Sequence, residues 1–327
     1  MEQRPLPRIG RSISVVGLGT WQLGADWGVV EPDDARAVLD AAVEAGVTFF
    51  DTADVYGDGR SEQAIGTFLR DNPGLDVLVA TKMGRRVDLD PELYTLDNFR
   101  AWTDRSRSNL GVDRLDLVQL HCPPTPVFSS DVVFDALDTL VEEGRIAAYG
   151  VSVETCDEAL TAIARPGVAS IQIIFNPFRL KPLDAVLPTA ADAGVGIIAR
   201  VPLASGLLSG RYTAQTTFAE NDHRTYNRHG EAFDQGETFS GVDFETGVEA
   251  AQQFATLSRD GATPAQTALR WILQQPGVTT VIPGARNPEQ ARANAQAAAL
   301  APLHDSTLDA VQDLYDSRIR AQVHHRW

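Results

Sequence analysis

The chain has 327 residues, of which 43% are hydrophobic and 22% charged, enough apolar content for a sizeable core and too much for a disordered or fibrous chain. Its 28 basic and 44 acidic residues leave a formal charge of −16, so whole-molecule attraction to polyanions is absent and nucleic acid is not expected as a partner. Cys122 and Cys156 are too few for a disulfide framework and lack the spacing of a zinc or redox pair. With no signal-type segment and no run of about 18 apolar residues, a cytoplasmic protein without a membrane partner is expected.

In chain order, segments 4–9 and 12–16 flank Gly10-Arg11 and predict a short hairpin that closes one end of the main fold. Short apolar, β-branched runs then alternate with helical patterns, which is the sign of βαβ units and a parallel sheet. Eight runs stand out, at 15–19, 47–51, 77–82, 115–121, 146–152, 170–174, 195–200 and 279–283, and predict a (β/α)8 TIM barrel forming one domain over 1–327. Segment 33–45 aligns Ala37, Val38, Ala41, Ala42 and Ala45 on one face, as in a helix covering a barrel. Thr155 with Glu158 makes a capping box, and Thr263-Pro264 and Asn287-Pro288, each followed by a glutamine, mark further helix starts. Between the seventh and eighth runs, 213–243 is polar and aperiodic, and is predicted as a loop closing over cofactor or substrate.

In a parallel barrel the βα loops converge at the C-terminal ends of the strands, so chemistry is sought there. The second run ends Asp51-Thr52-Ala53-Asp54-Val55-Tyr56-Gly57, the third Thr81-Lys82 and the fourth Leu120-His121. Taken singly, Asp51 reads as a turn cap, Tyr56 as a rim aromatic and His121 as a structural histidine. Together they form a working set. A free phenol with a pKa of about 10 donates a proton poorly at neutral pH, and a nearby ammonium lowers that pKa. Lys82 would supply the charge, Asp51 would balance and position it, and His121 would orient a carbonyl by a hydrogen bond.

This arrangement resembles the aldo-keto reductase family. Gly17-Leu18-Gly19-Thr20-Trp21, the Asp51 to Gly57 segment, Thr81-Lys82, Leu120-His121, Gly150-Val151-Ser152, Gln172, Asn176 and Ile282-Pro283-Gly284-Ala285-Arg286 all stand in family order, across nearly the whole chain. The resemblance implies a (β/α)8 barrel, a nicotinamide cofactor at the strand C-termini and hydride transfer to an aldehyde or small ketone. It makes Asp51, Tyr56, Lys82 and His121 a catalytic tetrad, with Tyr56 as proton donor. Gly19, Thr20, Trp21 and Asp51 are then also expected against the cofactor.

Ser152, Gln172 and Asn176 carry donors and acceptors suited to a carboxamide. The tight turn Leu203-Ala204-Ser205-Gly206-Leu207 suits a pyrophosphate, with Arg211 just beyond it. Gly284, Arg286, Gln290 and Asn294 would meet the adenine end, where a helix N-terminus and Arg286 favour a 2′-phosphate, so NADP(H) is expected. The chain departs from the family pattern at Val153, where many members have asparagine, and at Arg200, where many have an aromatic stacked on the nicotinamide; Arg200 is instead expected, with Arg211 and Arg286, to make the cofactor groove locally basic. Trp21, Trp27, Val55, Tyr56 and Met83 are candidates for an apolar substrate pocket. The glycines at 17 and 19 do not complete a dinucleotide fingerprint, and the six histidines form no metal cluster. Two other readings remain open: a Schiff-base aldolase using Lys82, and a non-catalytic NADP-binding module resembling potassium-channel β subunits.

Overall fold

The computed structural model describes residues 1–24 and 31–327, so Trp27 lies outside the described residues. Strands β1 (Gln3–Leu6) and β2 (Arg11–Ser14) form the expected antiparallel hairpin. The eight barrel strands come next: β3 (Leu18–Gly19), β4 (Phe49–Asp51), β5 (Leu78–Met83), β6 (Leu117–His121), β7 (Tyr149–Ser152), β8 (Val168–Ile174), β9 (Gly196–Arg200) and β10 (Val278–Val281). They pair in parallel and in sequence order. Bridges from Val16 to Val281 and from Gly19 to Gly284 join the two outer strands and close the (β/α)8 barrel.

The helices are α1 (Pro32–Glu44), α2 (Arg60–Asp71), α3 (Leu96–Leu110), α4 (Asp131–Glu142), α5 (Cys156–Ile163) and α6 (Val186–Ala193). They continue as α7 (His223–Tyr226), α8 (Phe244–Ala255), α9 (Pro264–Gln274), α10 (Pro288–Gln296), α11 (Asp305–Leu314) and α12 (Arg320–Val323). Both capping boxes form, at Thr155 with Glu158 and at Thr263 with Gln266, and the Asn287 side chain accepts from Gln290 N. The buried face of α1 is Ala35, Val38, Leu39, Ala41 and Ala42, rotated from the predicted stripe so that Ala37 and Ala45 are only half-buried.

Period-two alternation explains how one strand set makes both a core and a site. At the N-terminal end the inward positions are apolar: Phe49, Leu78, Ala80, Leu117, Ala148 and Ile198 cluster with Leu6 and Ile13 of the hairpin. Two residues further along, the same inward faces carry Asp51, Lys82, Gln119 and Arg200. Arg4 fixes the hairpin by donating to Val278 O and Leu273 O at 2.6 and 2.8 Å, and Arg8 donates to the carbonyls of Arg165, Pro166, Val168 and Ala193.

The stretch 213–243 is more ordered than its polarity predicts. It contains α7 and short turns at Gln235–Glu237 and Phe239–Gly241. Phe218 and Phe239 pack with Tyr212 and Phe244, and Asn227 Oδ1 accepts from the N–H groups of Ala232 and Phe233. Scattered aromatics, too widely spaced for a periodic signal, supply its core.

Candidate active site

The ends of β4, β5 and β6 bring Asp51, Lys82 and His121 together, and the turn after β4 returns Tyr56 to them. Lys82 is buried; its Nζ donates to Asp51 Oδ1 at 2.5 Å and to Thr52 O at 2.9 Å, and lies 3.3 Å from Tyr56 Oη. Asp51 Oδ2 accepts from Gln172 Nε2 at 2.7 Å and Gln119 Nε2 at 3.2 Å. The His121 ring meets the Tyr56 ring edge-on at 6.0 Å, and Trp21 stacks on Tyr56 at the same spacing.

That turn is tight. Gly57, Asp58 and Gly59 all have positive φ, and a Cβ on Gly57 would lie 1.9 Å from Gly24 O, so only glycine fits there. Arg86 and Arg105 both pair with Asp58, which clamps the turn from outside.

Electrostatics refine the expected roles. Burial raises the Tyr56 pKa, and the opposing pull of Lys82 does not cancel it, so the phenol is held protonated rather than poised low as expected. For Lys82 burial works against the charge, yet Asp51 and Tyr56 outweigh it and the ammonium is held above its usual range. A charged amine is not a nucleophile, which counts against the Schiff-base reading. Burial, then Arg85, Lys82 and Arg200, push His121 well below 6.5, so its imidazole is held neutral.

Beside this set lies a chain of charges without a local sequence signal. Arg200 bonds Glu154 at 2.9 Å and Glu237 at 2.7 Å, and Arg85 reaches the other oxygen of Glu154 at 3.2 Å. Cys122, Glu154 and Glu237 are close enough to share a cation. The two guanidinium groups already supply that positive charge, and burial pushes the Cys122 thiol up to about 12, away from the thiolate a metal prefers.

The expected cofactor residues fall into distinct situations. Ser152 Oγ lies 3.2 Å from Cys122 Sγ at the end of β7. Gln172 spends its Nε2 on Asp51 and Gln119, which leaves Oε1 as an acceptor, and the residue pairs in register with Ser152 on the neighbouring strand, so the two positions offer a donor and an acceptor of the kind a carboxamide needs. Asn176 is not brought into that set: its amide donates to Val201 O and Ser240 Oγ and its oxygen accepts from Phe178 N. Thr20 is buried and donates to Asp51 O, and Gly19 lies beside Gly284 at the barrel seam. Leu203 to Leu207 form a sharp turn in which Ala204, Ser205 and Gly206 have positive φ. The Leu207 side chain is core, and Ser205 Oγ donates to Glu237 O and accepts from Phe239 N, so the turn offers backbone more than side chain. Arg211 and Arg286 are exposed. Gln290 Oε1 accepts from Arg286 N, and Asn294 Nδ2 donates to Gly284 O, which fixes the loop before α10. The donor set therefore fits a phosphorylated nicotinamide dinucleotide. Of the pocket candidates, Met83 is core, whereas Trp21 lines the mouth with His223 and Phe233 of the long loop.

Gln119, Glu154, Glu237, Arg85 and His223 were not expected from sequence. Gln119 had a usable signal, since it lies two residues before His121 on one strand face; the others lie outside the barrel strands. A profile of the aldo/keto reductase family matches residues 15–316. The aldo-keto reductase str7 of Strobilurus tenacellus is 36% identical over 95% of this chain and 92% of its own. A Schizosaccharomyces pombe protein named aldo-keto reductase yakc [NADP(+)] is 28% identical over 96% and 92%. Among solved structures, the glycerol dehydrogenase of Gluconobacter oxydans superposes with a TM-score of 0.78 at 28% identity, covering 98% of this chain and 96% of that one.

Proposed function

The chain belongs to the aldo/keto reductase family, and from that premise we propose that it is an NADP-dependent oxidoreductase that reduces an aldehyde or small ketone, reversibly, with Tyr56 as proton donor. The observation that carries this reading is the buried contact of Lys82 Nζ with both Asp51 and the Tyr56 hydroxyl. The name of the Schizosaccharomyces pombe relative supports the choice of NADP(H), as does exposed Arg286 at the N-terminal end of α10.

When bound, the nicotinamide supplies a hydride for the carbonyl carbon. Ser152 Oγ and Gln172 Oε1 would hold its carboxamide, backbone of Leu203 to Leu207 with Arg211 its pyrophosphate, and Arg286 the 2′-phosphate. A substrate carbonyl oxygen accepts hydrogen bonds from Tyr56 Oη and the neutral His121 imidazole, which together fix its orientation. As negative charge develops on that oxygen, the proton leaves Tyr56 Oη for it. The Lys82 ammonium stabilises the phenolate left behind, and Asp51 keeps that ammonium charged and aimed. Gln119 and Gln172 anchor Asp51 in turn, so the positive charge does not drift toward solvent.

The test is loss of NADPH absorbance with a generic small aldehyde, alongside cofactor titration by fluorescence. Turnover supports the reading. Tight NADPH binding without turnover on any aldehyde, ketone or alcohol would replace it with the non-catalytic module.

A further inference from the structure

Behind the turn that carries Tyr56 lies an acid that the mechanism leaves unused. Asp54 is fully buried, and neither oxygen of its carboxyl group has a hydrogen-bond partner among the described residues. Its backbone is firmly held: Asp54 N donates to Lys82 O at 3.2 Å, and its carbonyl accepts from Arg86 at 3.2 Å. Close enough to act on it electrostatically is Glu62 of α2, also fully buried, whose two oxygens accept from Thr81 Oγ1 at 2.6 Å and Asn109 Nδ2 at 2.8 Å.

Two carboxyl groups in one dry compartment do not both ionise without strong cost. Glu62 has the donors, so the proton belongs on Asp54. The cations around them are engaged elsewhere. Arg86, after β5, pairs with Asp58; Arg105, on α3, donates to Asp58 O and Oδ1; Lys82, on β5, is held by Asp51, Thr52 and Tyr56.

We propose that Asp54 is a positioning residue for Tyr56: carrying a proton, it lets the turn pack against Glu62 and hold the phenol at Lys82, and on ionising it forces that turn away. The lever is short. Tyr56 N donates to Ala53 O, and the glycine-only contact of Gly57 with Gly24 leaves no slack just beyond Tyr56. This rests on the reductase reading of Tyr56. Burial first, then Glu62, raises the Asp54 carboxyl to about 7, whereas Tyr56 and Lys82 are raised from their already alkaline values and His121 is pushed well below 6.5. A limb near neutrality is therefore not expected from those three.

The experiment measures kcat and KM for NADPH-driven aldehyde reduction from about pH 6 to about pH 9, and the melting temperature of the cofactor-free protein from about pH 4 to about pH 9. In the parent enzyme kcat falls by up to about tenfold per pH unit above neutrality. Asp54→Asn, uncharged at every pH, removes that limb, and Glu62→Gln moves it to lower pH because Asp54 loses the neighbour that raises it. The folded Asp54 pKa lies above its unfolded value, so the parent loses stability as pH rises between the two, from about 4 to about 7. Asp54→Asn lacks this loss and melts higher than the parent above neutrality. Parallel melting profiles would overturn the buried proton, whether or not turnover is found. Distinct melting profiles with parallel kcat profiles would overturn the link to Tyr56. Failure of the parent to reduce any carbonyl would instead sink the reductase reading, and with it the Tyr56 role, while the melting data still decide where the proton sits.

Discussion

Lys82→Met removes the one ammonium beside the proton donor, and the structure fixes how much that should matter. At the 3.3 Å separation of Nζ and Tyr56 Oη, a full phenolate and an ammonium attract by about 5 kcal/mol with an effective dielectric constant of about 20. Proton transfer is only part-way along in the transition state, so roughly half of this is expressed there, about 2.5 kcal/mol or about a hundredfold in kcat. A second effect runs in parallel. Asp51 Oδ1 loses its ammonium partner at 2.5 Å while Oδ2 keeps Gln119 and Gln172, and a buried charge stripped of its counter-ion costs about 3–5 kcal/mol of stability. The two are separable by adding Asp51→Asn. The double variant should regain most of the melting temperature and none of the rate. Stopped-flow single-turnover kinetics across pH, paired with thermal melting, read both. Recovery of rate together with stability, or a pH profile of Lys82→Met that overlays the parent, would refute the charge argument and leave Lys82 a structural residue.

Tyr56→Phe should keep NADPH binding, followed by fluorescence titration, and lose about 10²- to 10⁴-fold in carbonyl reduction. Arg286→Ala should weaken NADPH by roughly ten- to a hundredfold and leave NADH nearly unchanged, measured as two dissociation constants at one salt concentration. Residues 213–243 should become more resistant to limited proteolysis when NADPH is present, because Ser205, in the turn proposed to hold the pyrophosphate, is bonded to Glu237 and Phe239 of that stretch; identical cleavage in both states would make it a passive insertion.

The barrel was legible because each strand is a short β-branched run, and because the helix starts are local chemistry that Thr155 and Thr263 carry in themselves. The placement of Asp51, Lys82 and His121 was legible for a related reason: a polar residue closing an apolar run marks the mouth. What stayed hidden depends on contacts between distant segments. Nothing near Asn176 signals that Val201 O and Ser240 Oγ consume its amide. Nothing near Glu154 or Glu237 signals that both converge on Arg200. The Tyr56 ionisation is hidden in the same way, since the spacing of Lys82 suggests a nearby charge, while the burial that opposes it exists only in the folded barrel.

The seam of the barrel has a mechanical meaning. Every other pair of neighbouring strands shares a ladder, but β3 and β10 are joined by bridges at Val16 and Gly19, backed by Thr280 Oγ1 donating to Ser14 O at 2.9 Å. Across that weak joint the two guanidinium nitrogens of Arg4 grip Val278 O and Leu273 O, so the beginning of the chain rivets its last strand and the helix before it. Closure must then come late in folding, once partners more than 250 residues apart have met. It also follows that opening along this line would leave Lys82 and His121, carried on strands laddered to both neighbours, in register, whereas Asp51 is tied to the seam strand by only the pairs Leu18 to Phe50 and Gly19 to Asp51.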